Sequence, residues 1–152
     1  KFLNKWGCEV TAFSSNPSKE KEILKMGAHK VVNSLDMEAM TKINGTLDFF
    51  FFTTNVALDL AGYLNVLAPK GTLHQVGAVL EPLQVPAFSL ITGEKTVSGS
   101  PLGSPALTKK MLDFCIRHTI YPITEEYPLS KVNEALEHLE SGKARYRIVL
   151  KI

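Results

Sequence analysis

Ser14, Ser15 and Lys19 are the residues of this chain whose types and spacing point most directly to a ligand. They follow at once on the strand-like run Glu9–Phe13, within the segment EVTAFSSNPSK. Two hydroxyl donors and a cation suit a phosphate group, which presents negative charge and strong acceptor oxygens. No carboxylate ends the run, so nothing there would repel such a group. The plain alternative is local: a Ser-Ser-Asn-Pro helix start with a solvated lysine. On these residues alone both readings stay open. Lys21 and Lys25, on the EKEILK segment that follows, compete with Lys19 and read as solvated face residues.

Four further groups are candidates. Thr53 and Thr54 end the run DFFFF, where small polar side chains can approach a nucleoside or simply cap a helix starting at Ala57. Val76 and Gly77 end the run TLHQV, where a glycine permits close approach of backbone or serves a turn. Ser98, Gly99 and Ser100 end a later run, KTVSG. Arg147 lies in the last run, with Arg145 a weaker candidate two residues away on the same face of an extended strand. No residue qualifies as general acid or nucleophile, because no base pairs with a serine or cysteine and the aspartates fall at turns, strand starts or helical positions. His29, His74, His118, His138, Cys8 and Cys115 show no metal-ligand spacing such as C-x-x-C. Each histidine reads as a surface or helix-edge residue, and the cysteines as reduced core thiols of a cytoplasmic protein.

The elements that must position these groups alternate. A helix carrying Phe2, Leu3 and Trp6 stops at Gly7, and strand Glu9–Phe13 follows. Pro17 starts a short helix that Gly27 ends, and Lys30–Asn33 is a short strand. Asp36–Ile43 is a helix, and Asp48–Thr53 is a strand whose unbroken apolar run predicts burial on both faces. Ala57–Leu67 is a helix ended by the turn Pro69-Lys70-Gly71, and Thr72–Val76 and Thr96–Gly99 are strands. Ser104-Pro105 caps a helix, followed by a strand near Ile123–Tyr127, a helix Lys131–Glu140 and a strand Tyr146–Ile152. Strands alternating with helices over short connections predict an α/β fold, a Rossmann-type doubly wound parallel sheet.

Composition removes several function classes. The chain has 152 residues, 45% of them hydrophobic, with a net charge of +2. No basic run or aromatic-rich basic stripe supports nucleic-acid binding. The longest apolar run is far too short to span a bilayer, and the first residues do not form a signal peptide.

On such a sheet the ligand crevice lies at the carboxyl ends of the strands, and an acidic residue after the second strand selects NAD by bonding the ribose 2′-hydroxyl. Serines and a lysine there select the 2′-phosphate instead, so the cofactor implied is NADP.

Five blocks carry a resemblance to one family: WGCEVTAFSSNPSK, KMGAHKVVNS, LNVLAPKGTLHQVG, KTVSGSPLGS and EALEHLESGKARYRIVLKI. Together they resemble the C-terminal half of zinc-containing medium-chain alcohol dehydrogenases, nearest to the cinnamyl-alcohol-dehydrogenase-like, NADP-dependent aldehyde reductases. The resemblance implies a coenzyme-binding Rossmann domain over residues 1–120, incomplete at its start. Residues 121–152 would return to a catalytic domain that is not part of this sequence. The family's Gly-rich phosphate turn, its first strand and its zinc ligands have no counterpart here, so zinc belongs to the full-length protein only. The resemblance further implies that Ser98–Ser100 bonds the nicotinamide carboxamide through its backbone and that Arg147 bonds the pyrophosphate. It implies a small alcohol or aldehyde substrate, and a homodimer formed through the edge strand near Lys95–Leu102. Two alternatives stay open: a zinc-free quinone oxidoreductase of the same superfamily, and a non-catalytic nucleotide-binding fragment. Without the first strand, either the centre of the sheet stands empty or it is filled another way: by direct pairing of Glu9–Phe13 with Asp48–Thr53, by a strand from another chain, or by a rearranged sheet.

Overall fold

The structure is a computed structural model that describes all residues, Lys1–Ile152. The chain divides into two compact units, Lys1–Ser104 and Pro105–Ile152.

The first unit opens with a one-turn helix α1 (Phe2–Lys5) that ends at Gly7, whose φ of 85° only glycine adopts at low cost. Cys8 in the turn that follows is exposed, so it is not a core thiol: α1 is too short to carry it under cover. Strand β1 is Thr11–Ser14, two residues later than the apolar run indicates. Asn16 then caps a 3-10 turn (Pro17–Lys19), its side chain accepting from the Ser18 amide. The turn leads into α2 (Glu20–Lys25) and β2 (Lys30–Asn33). β1 and β2 pair in parallel from Thr11 opposite Lys30 to Ser14 opposite Asn33. Just outside this pair, Glu9 Oε1 sits 2.6 Å from Lys30 Nζ, and the hydrogen bond from Lys30 holds the Glu9 carboxyl below its ordinary value.

Helix α3 (Met37–Lys42) starts at Asp36, whose Oδ1 accepts from the amides of Glu38 and Ala39 at 3.0 Å. Strand β3 (Leu47–Phe52), helix α4 (Leu60–Asn65), strand β4 (Leu67–Gln75), helix α5 (Ala87–Ile91) and strand β5 (Thr96–Gly99) complete the unit. β3, β4 and β5 form a second, wholly parallel sheet in that order. The sheet order β2-β1, then β3-β4-β5, is that of a doubly wound sheet without its central strand. β1 and β3 do not pair with each other; each has one strand neighbour only.

Three expectations change. Helix α4 begins at Leu60 rather than Ala57, because Asp59 Oδ1 takes the Ala61 amide at 3.1 Å and sets the cap there. Thr53 and Thr54 therefore cap nothing. Pro69-Lys70-Gly71 is not a turn before β4 but an irregularity inside it: Leu47 opposes Leu67 while Phe49 already opposes Thr72. Finally, β3 is not buried on both faces. Phe50 and Phe52 are 7% and 3% exposed, whereas Phe49 and Phe51 are 64% and 44% exposed. The covered face packs on Leu60, Leu64, Leu67, Leu73, Met40 and Val32. Phe13 of β1 reaches this core across the gap, its ring 4.9 Å edge-on to Phe50, with Tyr63 5.3 Å from Phe50.

In the second unit, α6 (Pro105–His118) precedes β6 (Thr124–Pro128), and α7 (Val132–Glu140) connects it to β7 (Arg147–Lys151). β6 and β7 pair in parallel. Glu125 receives the Arg145 amide, and its Oε2 stands 2.7 Å from His138 Nε2, close but off the hydrogen-bond direction. No helix of the structure is long and apolar enough to cross a membrane.

Candidate functional site

The gap between β1 and β3, about 750 Å³, is the slot of the absent central strand and is lined along the length of both strands, from Glu9 to Ser15 and from Leu47 to Thr54; Ser14, Ser15, Thr53 and Thr54 stand at its carboxyl end. They come from two strand ends of a parallel fold, the position at which such sheets bind ligands. Alternation along β3 aims Phe50 and Phe52 at the core, and the chain beyond Phe52 leaves the sheet at the rim.

Ser14 is the last residue of β1. Its Oγ donates to the Asn16 carbonyl at 3.2 Å and accepts from the Asn16 amide at 3.1 Å. The single hydroxyl proton is thus committed to the turn, and what remains is acceptor capacity. Ser15 is exposed, and its hydroxyl makes no hydrogen bond within the chain. Asn16 Oδ1 accepts from the amide and hydroxyl of Ser18 at 3.0 and 2.7 Å, so the local capping reading of this segment holds. Lys19 closes the 3-10 turn, half-buried and outside the cleft lining. The cap leaves Ser15 and Lys19, rather than Ser14, as the donors free for an anion.

Thr53 and Thr54 are exposed directly after β3. Phe52 O accepts from the amides of both Val76 and Gly77, at 2.9 and 3.0 Å, which draws the two strand ends together. A Cβ on Gly77 would stand 1.9 Å from Thr54 O. The close approach that this glycine permits is therefore that of the Thr53–Thr54 backbone. Val76 beside it is 51% exposed.

At the end of β5 the structure brings together residues that the sequence left apart. His74 is the register partner of Ser98. Its Nδ1 lies 2.9 Å from Ser98 Oγ and its Nε2 2.9 Å from Ser100 Oγ. His74 is therefore a strand residue with both ring nitrogens engaged, not a surface or helix-edge histidine. Two patterns carried the signal: the alternation Thr72-Leu73-His74, with Leu73 inward, and the spacing Ser98-x-Ser100 on the neighbouring strand. Gly99 packs tightly, since a Cβ there would lie 3.3 Å from Gln75 O.

In the second unit, Arg147 opens β7 and is exposed. Arg145 precedes the strand, so alternation along β7 does not place it on the face of Arg147. Its guanidinium is turned to its own loop, Nη1 donating to the carbonyls of Lys143 and Ala144 at 3.0 and 3.3 Å. No three His, Cys, Asp or Glu side chains gather at one point, so this chain's own residues do not fit a metal ion.

Comparison with known proteins bears on this arrangement. Residues 1–117 match the family model described as zinc-binding dehydrogenase. The aldehyde reductase AdhA of Synechocystis is 49% identical over 149 residues, covering 98% of this chain and 44% of that protein. A solved cinnamyl alcohol dehydrogenase of Sorghum bicolor superposes with a TM-score of 0.93 at 37% identity, over 99% of this chain and 43% of that one. The CAD of Helicobacter pylori, solved in complex with NADP(H), gives a TM-score of 0.81 at 30% identity, over 98% of this chain and 42% of that one. The chain thus spans less than half the length of the relatives it matches.

Proposed function

The chain belongs to the zinc-binding dehydrogenase family, and from that premise we propose that it is the NADP-binding portion of an alcohol dehydrogenase or aldehyde reductase. The observation that carries the proposal is the end of β1: hydroxyls and a lysine stand where an NAD-binding sheet places a carboxylate. Two further observations support it. Ser14, Ser15, Thr53 and Thr54 stand together where β1 and β3 end, the rim at which parallel sheets take ligands. A relative of 30% identity was solved with NADP(H).

In this reading Lys19 and Ser15 hold the 2′-phosphate by charge-assisted hydrogen bonds. Ser14 contributes an acceptor and keeps the turn in shape. Thr53 and Thr54 flank the adenosine side of the cleft. Val76, Gly77, Ser98, Gly99 and Ser100 form the rim for the nicotinamide half, and Arg147 serves the pyrophosphate. Bound NADP(H) supplies the hydride exchanged with a small alcohol or aldehyde. This chain's residues bind and orient, and the zinc that polarises the substrate oxygen belongs to residues outside it. Residues 1–120 form the coenzyme domain and 121–152 the segment returning to the catalytic domain. The protein acts in the cytoplasm as a homodimer.

Titration of the intact protein and its Lys19→Ala variant with NADP and NAD tests the assignment. A hydrogen bond to a charged group contributes about 1.5–3 kcal/mol. NADP binding should therefore weaken roughly ten- to hundredfold while NAD binding barely changes. Equal losses for the two cofactors would sink the assignment.

A further inference from the structure

Val10 and His29 are joined by two hydrogen bonds, and one of them uses the imidazole. The His29 amide donates to the Val10 carbonyl at 2.8 Å, and the Val10 amide donates to His29 Nδ1 at 2.9 Å. The two residues stand immediately ahead of β1 and β2. The ring thus takes the place of a backbone carbonyl and adds a rung before the ladder that begins with Thr11 opposite Lys30. A backbone amide can only donate, and this fixes the role of the nitrogen it meets. Nδ1 carries a lone pair, so the proton of the neutral ring is on Nε2. An imidazolium has a proton on both nitrogens, so proton uptake and the Val10 bond exclude one another.

The groups around the ring come from α1, β2 and the approach to β1. Asn4 of α1 brings no charge: its amide nitrogen lies 3.2 Å from Nε2 and donates to the Gly27 carbonyl at 3.1 Å. Glu9, next to Val10, is the acidic group. Lys30 holds its carboxyl below the ordinary value by a hydrogen bond and by its charge, and a positive His29 lowers it further. Glu9 therefore favours proton uptake by the ring, and the Lys30 ammonium opposes it. We infer that His29 is a proton-operated clasp on the amino end of the β1–β2 pair: neutral, it holds the Val10 amide, and protonated, it releases it. The release is local. The Val10 carbonyl keeps the amides of His29 and Lys30, and the ladder from Thr11 to Ser14 pairs through its own backbone.

Amide hydrogen exchange of the intact protein tests the clasp at about pH 8 and about pH 5, which bracket the range in which histidine changes charge. Each rate is expressed against an unstructured peptide at the same pH. Protection of the Val10 amide should fall about three- to tenfold on acidification, the effect of losing one hydrogen bond. The His29 amide keeps its carbonyl partner and should hold its protection. In His29→Asn the side-chain oxygen stands where Nδ1 stands and does not titrate, so Val10 protection should be independent of pH, at whatever level it lies. Nitrogen-15 resonances of the unmodified protein at the higher pH should show Nδ1 without a proton. Unchanged Val10 protection on acidification, or a proton on Nδ1 at the higher pH, would overturn the inference. An equal loss in His29→Asn would do so as well, since the response would then belong to another group.

Discussion

At position 77 a side chain has no room. The Thr53–Thr54 backbone crosses so near that a methyl group would displace it or push the end of β4 away. Gly77→Ala should cost roughly 1–3 kcal/mol, as overpacking does elsewhere. The check is a urea transition whose midpoint falls while its slope stays constant; an unmoved midpoint would show that the rim absorbs the change. Several single residues were legible in the sequence. Gly77 marked a close approach, but what approaches is another strand end, which no local pattern encodes. Ser14 and Ser15 read alike as phosphate partners, yet only the fold shows that the Ser14 proton is committed to Asn16. His74 was missed because its partners lie on a different strand, and strand register is a long-range property.

At the scale of elements, β2 and β5 fall where apolar runs and flanking turn residues place them. Boundaries moved where a capping side chain overrode periodicity, as Asp59 does for α4. They moved again where an irregularity absorbed Pro69-Lys70-Gly71 into β4. The run DFFFF reads as buried on both faces, but Phe49 and Phe51 stand exposed while Phe50 and Phe52 are covered. Sequence gives the strand, and its cover depends on what packs there. β5 is the last strand of its sheet, so its outer edge offers unpaired donors and acceptors. We expect the intact protein to dimerise through this edge, giving twice the protomer mass in sedimentation equilibrium. A monomer at micromolar concentration would contradict the assignment.

At the scale of the whole molecule, the order of strands was legible and so was the gap in it. β1 and β3 face one another across the cleft without pairing, held by Phe13, Phe50 and Tyr63 rather than by a backbone ladder. The chain has no three-ligand metal cluster and no glycine-rich phosphate turn. On its own it should therefore reduce no aldehyde with NADPH. Zinc-dependent turnover by the isolated 152-residue chain would overturn that division of labour. The central proposal is narrower: that this coenzyme-binding unit takes a 2′-phosphate. Calorimetric titration of the intact protein with NADPH and NADH side by side tests it most directly. Tighter binding of NADPH by about tenfold or more is the predicted result, each tenfold being about 1.4 kcal/mol. Equal affinity for the two, or a preference for NADH, would contradict the account.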